Sequence, residues 1–567
     1  SSRMLLQLVC LILLAFPSVQ GGNEIWSNLN GEEVKVYWVT NFDTQTVSFT
    51  FEGNVKNAAW WAVGFSDHGE YNVSDYCQLD VREGKLWDGF VNSRFEMSRD
   101  RQQDCHLEHV DGRSFTFIRK FSTCDPKDYA FETGTAQIYM ARSTAKTSNF
   151  TSPSVSVSLK YGVLLNEPMV EEKPKEQDQR TLHIAASNAK VPSEVTTYWC
   201  IVQRLPDVIL TRKHHVTWLW SNVTAGNEDI VHHLMVFHCP TGDQKEFEGN
   251  CNDPKKPKVA AACSKVIGAV SMGEGPIVYP ENVGLPIGGP DYNPFVMVEI
   301  HYNNVAKKAG IVDSSGFDLI ITPHLREHDA GIIEIGQIYG DANSIPPGQK
   351  AFTMTGYCTA DCTDKFPKDG IHIFLSQMHG HLVMRKLWNS LYRNGVKVGE
   401  FNRDNHYSPH WQHVIALKPT LHVHRGDVLT TTCIFDTSRH TNVVLGGYGI
   451  EDEMCISYNY YWPASEIEMC KSAVSNATLH RFFKQKGIKN SELSIAQKYK
   501  SVTWDEENVR DLSELFATAP VNQHCYRFDG STFPGHPTNW SAIEHPHLTF
   551  GAYEKGRQRQ ECPALND

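Results

Sequence analysis

The sequence predicts an all-β protein assembled from three strand-rich modules. Three observations predict it. Short stretches of alternating apolar and polar residues recur along most of the chain, and turn residues separate them at short intervals. A third concerns size: at 567 residues the chain is too long for one core and suggests about three or four domains. The sequence shows no short repeat and no heptads.

Residues 1–21 read as a secretory signal. Arg3 precedes an apolar run from Met4 to Phe16, and cleavage falls near Gly21. That run is too short to span a membrane, and no later run approaches transmembrane length. Residues 24–165 form the first module. Val47–Phe51, Trp60–Phe65 and Ser114–Ile118 alternate between turns, the pattern of an antiparallel sandwich. Residues 166–180 read as a linker, being almost without apolar content. Strands dominate again over 181–345, where Met297–Tyr302 and Phe317–Ile321 alternate; Ile345-Pro346-Pro347-Gly348 breaks the pattern and sets a boundary. A third strand-rich module covers 346–501. Residues 502–567 form a tail with weak helical pattern near Asp511 to Ala517 and irregular sequence beyond, tied down by Cys525 and Cys562.

Composition narrows the function. The chain is 41% hydrophobic and 21% charged, as globular proteins are, and its net charge of −12 argues against a nucleic-acid partner. Of 15 cysteines one, Cys10, lies in the signal, leaving 14, an even number that suggests seven disulfides in an oxidising compartment. Asn-x-Ser/Thr sequons start at Asn72, Asn149, Asn222, Asn476 and Asn539. Together these place the chain in the secretory pathway, lumenal or secreted.

Histidine carries the chemistry. In Gln377-Met378-His379-Gly380-His381, a strand points His379 and His381 the same way, offering two imidazoles to one metal. His422-Val423-His424 has the same spacing, but Arg425, Gly426 and Asp427 make a solvated turn its better reading. His232-His233 lies in a strand-like run. Adjacent residues of a regular strand face opposite sides, so the two share an ion only if the strand twists or they use different ring nitrogens. His214-His215 is an equal alternative. His301, in an apolar strand, reads by default as a satisfied core histidine. Met454 follows Asp452-Glu453 and the turn Gly446-Gly447-Tyr448-Gly449, which sets it apart from an ordinary core methionine. Histidine together with thioether favours copper over zinc, because soft sulfur suits Cu(I).

Val231-His232-His233, Glu299-Ile300-His301-Tyr302, Gln377 to His381 and Asp452-Glu453-Met454-Cys455 occur in this order. This chain thereby resembles the copper type II, ascorbate-dependent monooxygenases, and in particular the DBH-like monooxygenase group related to dopamine beta-hydroxylase. The resemblance is strong over 181–501. The first module, with Trp60–Phe65 and Cys124-Asp125-Pro126-Lys127-Asp128-Tyr129, is similar to the DOMON domain that precedes the copper core in that branch. The resemblance implies a DOMON β-sandwich followed by two jelly-roll-like sandwiches facing each other across an open cleft, each with one copper ion. Position by position, it assigns His232, His233 and His301 to an electron-storing copper. It assigns His379, His381 and Met454 to the copper where O2 binds and a substrate C–H bond is hydroxylated, with ascorbate as the electron donor. It also implies the disulfides Cys200–Cys251, Cys239–Cys263, Cys358–Cys470, Cys362–Cys525, Cys433–Cys455 and Cys124–Cys562, which leaves Cys77 for Cys105.

The resemblance also bears on substrate. The family's peptide-hydroxylating branch holds a substrate carboxylate with an arginine at the position of Gln377 and an asparagine at that of Ile456, while Tyr458 matches its tyrosine. Two anchors are thus missing, which points away from peptides and toward a small, phenethylamine-like substrate, with Tyr458 as the candidate catalytic residue. A homodimer is left open. Three other readings compete: a secreted copper-binding protein without turnover, a zinc hydrolase using His379 and His381, and a protein whose main function lies in ligand binding by the first module.

Overall fold

The computed structural model describes residues 23–165, 173–228, 230–240, 245–257, 260, 263–271, 276–304, 306–535, 537 and 539–549. The expected signal, the first half of the linker and the end of the tail with Cys562 lie outside the described residues.

The first module is an antiparallel sandwich. One sheet orders Glu24–Leu29, Glu32–Asn41, Thr46–Glu52, Ser114–Lys120 and His106–Val110; the other orders Val155–Val163, Thr135–Ser143, Trp60–Ser66, Ser74–Asp80, Lys85–Val91 and Met97–Arg99. Period-2 alternation buries Val47, Phe49 and Phe51 on one face, and Phe115 and Phe117 join them from the neighbouring strand. Their rings stack in register, Phe49 on Phe117 and Phe51 on Phe115.

Two further sandwiches follow. In the second module Arg180–Ala185, Gly316–Thr322, His214–Asn222, Val283–Ile287 and His328–Asp329 make one sheet, and Phe247–Asn250, Thr196–Arg204, Phe295–Asn303, Val231–His238 and Lys265–Ser271 the other. In the third, Val414–Val423, Ile371–His379, Ile456–Trp462, Gly331–Gln337, Met469–Val474 and Val521–Tyr526 face Phe352–Cys358, Val428–Phe435, Met384–Arg393 and Val396–Asp404. Gly331–Gln337 pairs with Ile456–Trp462 and Met469–Val474, so the third module's sheet begins before the Ile345 breaker. That breaker is an internal turn, where Ile345 and Val444 form an isolated bridge. The tail is likewise integrated, since Val521–Tyr526 extends the same sheet.

Helices Asn476–Gln485, Ile495–Ser501 and Glu506–Thr518 lie between the last two strands of that sheet. Each starts on a side-chain cap: Ser475, Ser494 with Gln497 in a capping box, and Asp505. Leu479, Phe483, Tyr499 and Leu512 bury their apolar faces in one cluster with Met384 and Cys455.

Six of the expected disulfides are present: Cys77–Cys105, Cys200–Cys251, Cys239–Cys263, Cys358–Cys470, Cys362–Cys525 and Cys433–Cys455. Cys124 is disulfide-bonded too, and its expected partner Cys562 lies outside the described residues. Among the sequon asparagines, Asn149, Asn222, Asn476 and Asn539 are exposed and Asn72 is half-buried. Among the described residues no helix is long and apolar enough to cross a membrane.

The second and third modules share a core. Phe374, Leu375, Val414 and Tyr460 of the third pack in one cluster with Tyr279 and Val283 of the second. Tyr279 lies 5.8 Å from Phe374 and 6.2 Å from Tyr460, ring centre to ring centre.

Candidate metal centres

The first centre is made by a bulge. Val231 pairs with Tyr302 and His233 with His301, so His232 is an extra residue without a partner across the ladder. A bulge of this kind re-aims a side chain that regular alternation would send to the other face. His232 and His233 therefore reach the same place despite being adjacent. Their Nδ1 atoms lie 3.2 Å apart, and Nδ1 of His301 lies 3.3 Å from that of His233. Imidazole nitrogens bound at about 2.0–2.1 Å to a tetrahedral first-row ion stand roughly 3.3 Å from one another. Tyr198 stacks on His301 at 4.6 Å and fixes its plane. The Nε2 of His301 is buried without a hydrogen-bond partner among the described residues.

The second centre lies at the end of Ile371–His379 and just past it. His379 and His381 stand 5.1 Å apart, with their rings nearly perpendicular. Nδ1 of His379 is 2.5 Å from Oε1 of Gln412, and Nδ1 of His381 is 2.9 Å from the Asp452 carbonyl oxygen. Both partners are acceptors, so each Nδ1 carries the proton and each Nε2 keeps its lone pair. Gly380 between them is held twice by Tyr407, whose hydroxyl accepts from the Gly380 N–H and donates to its carbonyl. Glu453, 4% exposed, accepts from the backbone N–H groups of His381, Val383 and Met454. This one carboxylate ties the histidine pair to Met454, and burial pushes it up to about 7. The Cys433–Cys455 disulfide holds the residue next to Met454.

Burial keeps these imidazoles neutral, the form that binds metal. It lowers His232 to about 4, and His301 and His379 to about 3, with neighbouring histidines adding to the effect. His233 and His381 are lowered for the same first reason. The donor sets fit copper: three neutral imidazoles at one centre, and at the other two imidazoles with Met454, whose carbonyl lies beside Gly380, as the candidate thioether.

The other histidine pairs are spent elsewhere. His215 contacts Asp329 at 2.8 Å and accepts from the Arg326 N–H, and His214 meets the Arg212 carbonyl. His422 and His424 are exposed as expected, with His422 stacked on His372 at 4.3 Å and bonded to the Asp369 carbonyl. Tyr458 pairs with Gln377 and Glu334 across three strands, while Ile456 pairs with His379. Gln377, His379, Ile456 and Tyr458 thus share the face turned toward the second module. Burial lifts the Tyr458 phenol well above its usual range.

The expectation of an open cleft meets a closer arrangement: His410 of the third module approaches His232 of the second to 6.1 Å. Sequence reasoning missed His410, Tyr407 and Gln412, which sit in an irregular loop without periodicity, and it passed over Glu453 as a mere neighbour of Met454.

Residues 182–309 match the family described as copper type II ascorbate-dependent monooxygenase, N-terminal domain. Residues 328–483 match its C-terminal domain, and residues 30–143 match the DOMON domain. Tyramine beta-hydroxylase of Caenorhabditis briggsae is 42% identical over 561 residues, 96% of each chain. Dopamine beta-hydroxylase of Bos taurus is 37% identical, over 88% of this chain and 84% of that one. DBH-like monooxygenase protein 1 of Mus musculus is 27% identical, over 87% and 85%. Identity to these tyramine and dopamine enzymes thus exceeds identity to this member of the DBH-like group.

Proposed function

Since this chain belongs to the copper type II ascorbate-dependent monooxygenase family, we propose that it hydroxylates the side-chain carbon of a small arylethylamine such as tyramine or dopamine. The observation that carries the reading is the cluster of His232, His233 and His301 on one module, with the His379–His381 pair and the Met454 backbone beside Gly380 on the module facing it. The overall change is balanced: substrate, O2, two electrons from ascorbate and two protons give the alcohol and water. Bound copper would supply the one-electron redox chemistry.

The chain's own residues do the rest. His232, His233 and His301 form one holding site, and burial keeps them unprotonated. His379 and His381 keep Nε2 available because the Gln412 side chain and the Asp452 carbonyl accept from their Nδ1–H groups. Met454 offers the soft sulfur that favours the reduced metal. The shared apolar core limits water between the modules. Gln377 and Ile456, beside His379, provide no cation for a carboxylate, which supports an amine over a peptide C-terminus. Tyr458, on the same face, is the proposed substrate contact.

A secretory location completes the reading; disulfide density and exposed sequons support it. The test is O2 uptake and product mass with copper, ascorbate and a panel of tyramine, dopamine and a glycine-extended peptide. A product one oxygen heavier from an amine, and none from the peptide, supports it. Copper binding without ascorbate-dependent O2 uptake would instead favour a copper-holding protein.

A further inference from the structure

One loop touches all three modules. It leaves the strand Val396–Asp404 and ends at His413, where the strand Val414–Val423 begins. Its first half is gripped by the first module. Thr135 donates to Asp404 at 2.5 Å and Gln137 to the His406 carbonyl at 2.8 Å, both contacts fully buried. Tyr129 lies against the His406 ring at 4.2 Å, and Asp67 comes within 2.9 Å of its Nδ1. Asn405 donates to Glu132. The backbones meet so closely that a Cβ on Gly134 would fall 2.7 Å from the Asp404 Cα.

The second half of the loop holds the histidines. Tyr407 clamps Gly380 from both sides, Gln412 accepts from His379, and the Gln412 carbonyl accepts from Gln377. His410 reaches toward His232. Buried polar contacts therefore run from the first module, through Asp404, His406 and Tyr407, to the backbone between His379 and His381. Nothing in the chemistry of a copper site requires the first module. The loop is irregular apart from an isolated Ser408–Trp411 bridge, and contacts with other elements hold it.

We infer that the first module acts as a positioning domain: through Thr135 and Gln137 it fixes the Asp404–His413 loop, and Tyr407 and Gln412 of that loop set the His379–His381 pair. The inference rests on the proposed function only in treating that pair as metal ligands. Tyr407 and Gln412 are positioning residues, acting through Gly380 and His379.

The test uses the full chain with Thr135→Val and Gln137→Met together, changes that remove the two donors and keep strand-compatible side chains. Hydrogen exchange of the metal-free protein is expected to rise roughly tenfold over residues 377–383 as well as 404–408. Competition with a chelator is expected to show copper held roughly tenfold more weakly at the His379 centre and unchanged at the three-histidine centre. Asp404→Ala removes the acceptor of the Thr135 hydroxyl from the loop side if the double variant does not fold. Glu70→Gln breaks the exposed 2.8 Å pair with Arg439, which joins the same two modules outside the loop, and should leave 377–383 unchanged. Faster exchange at 404–408 with native exchange at 377–383 would overturn the inference. So would an equal response to Glu70→Gln, which would mean loose docking rather than this loop. If the unaltered protein binds no copper, the proposed function fails, and the exchange measurement still decides the loop's role.

Discussion

Gly380→Ala is a small change with a calculable consequence. Gly380 sits between two ligand candidates, and its backbone is not in the left-handed region, so the effect is steric. A Cβ there would lie 2.0 Å from the Met384 Cε and 3.1 Å from the Met454 carbonyl oxygen. Met384 is 0% exposed in a packed cluster and has nowhere open to swing. Overpacking of this kind costs about 1–3 kcal/mol. Met384→Ala alone leaves a cavity costing about 2–5 kcal/mol. The two should not add, because the second removes the atom the first strikes; the double variant is expected to be about 1–3 kcal/mol better than the sum. Thermal and denaturant unfolding measure this in metal-free protein. Copper competition then reads the site: the single variant weakens the His379 centre, and the double variant recovers it. Strict additivity, or a single variant with native stability, would refute the packing argument.

Three further outcomes follow from particular contacts. Gln412→Leu removes the acceptor of the His379 Nδ1 proton and is expected to weaken copper there about 10–100-fold, while Gln412→Glu, which retains an acceptor, recovers most of it in the same titration. Cys433→Ala with Cys455→Ala opens a loop with a sequence separation of 22, a loss of roughly 3 kcal/mol by chain entropy, seen as a lower denaturation midpoint and a more mobile Met454 by exchange. Glu400 is pushed up by burial but held down to about 2 by hydrogen bonds and charge from Arg403 and Lys397. Its contribution is therefore full above the usual carboxylate value near 4.5 and fades as pH falls toward 2, so Glu400→Gln should destabilise at pH 7 and cost progressively less over that window.

Much of this was legible in the sequence because period-2 alternation is a local property. Val47–Phe51, Trp60–Phe65, Met297–Tyr302 and Phe317–Ile321 all became strands: Thr46–Glu52 alternates in burial, while Trp60–Ser66, buried throughout, is legible as a short apolar run between turns. Helices Asn476–Gln485 and Ile495–Ser501 were missed inside a stretch read as strand-rich, although Ser494-x-x-Gln497 spells a capping box. The module boundary was misplaced because Ile345-Pro346-Pro347-Gly348 is a turn signal, and a turn inside a module looks the same as one between modules. Gln412, Tyr407 and His410 were illegible for another reason. Their importance comes from where a loop is carried by contacts with a distant module, and no local spacing encodes that.

The two donor sets also share a logic that spacing alone hides. In Phe295–Asn303 the residues Val296, Val298, Ile300 and Tyr302 point into the sandwich core, so His301 must point out of it. In Ile371–His379 an irregularity between Ile373 and Leu375 shifts the register, and Leu375, Gln377 and His379 then share the face that packs against the second module. A bulge does the same for His232. Each ligand strand thus spends one face on its own core and turns the other toward the partner module. Sequence alternation alone would place His232 and His233 on opposite faces; one inserted residue in the ladder changes that. Deleting the bulge, by removing Val231, should restore regular pairing and send one histidine of the pair inward. The three-histidine centre would then lose a donor while the His379 centre, on a separate sheet, keeps its copper affinity.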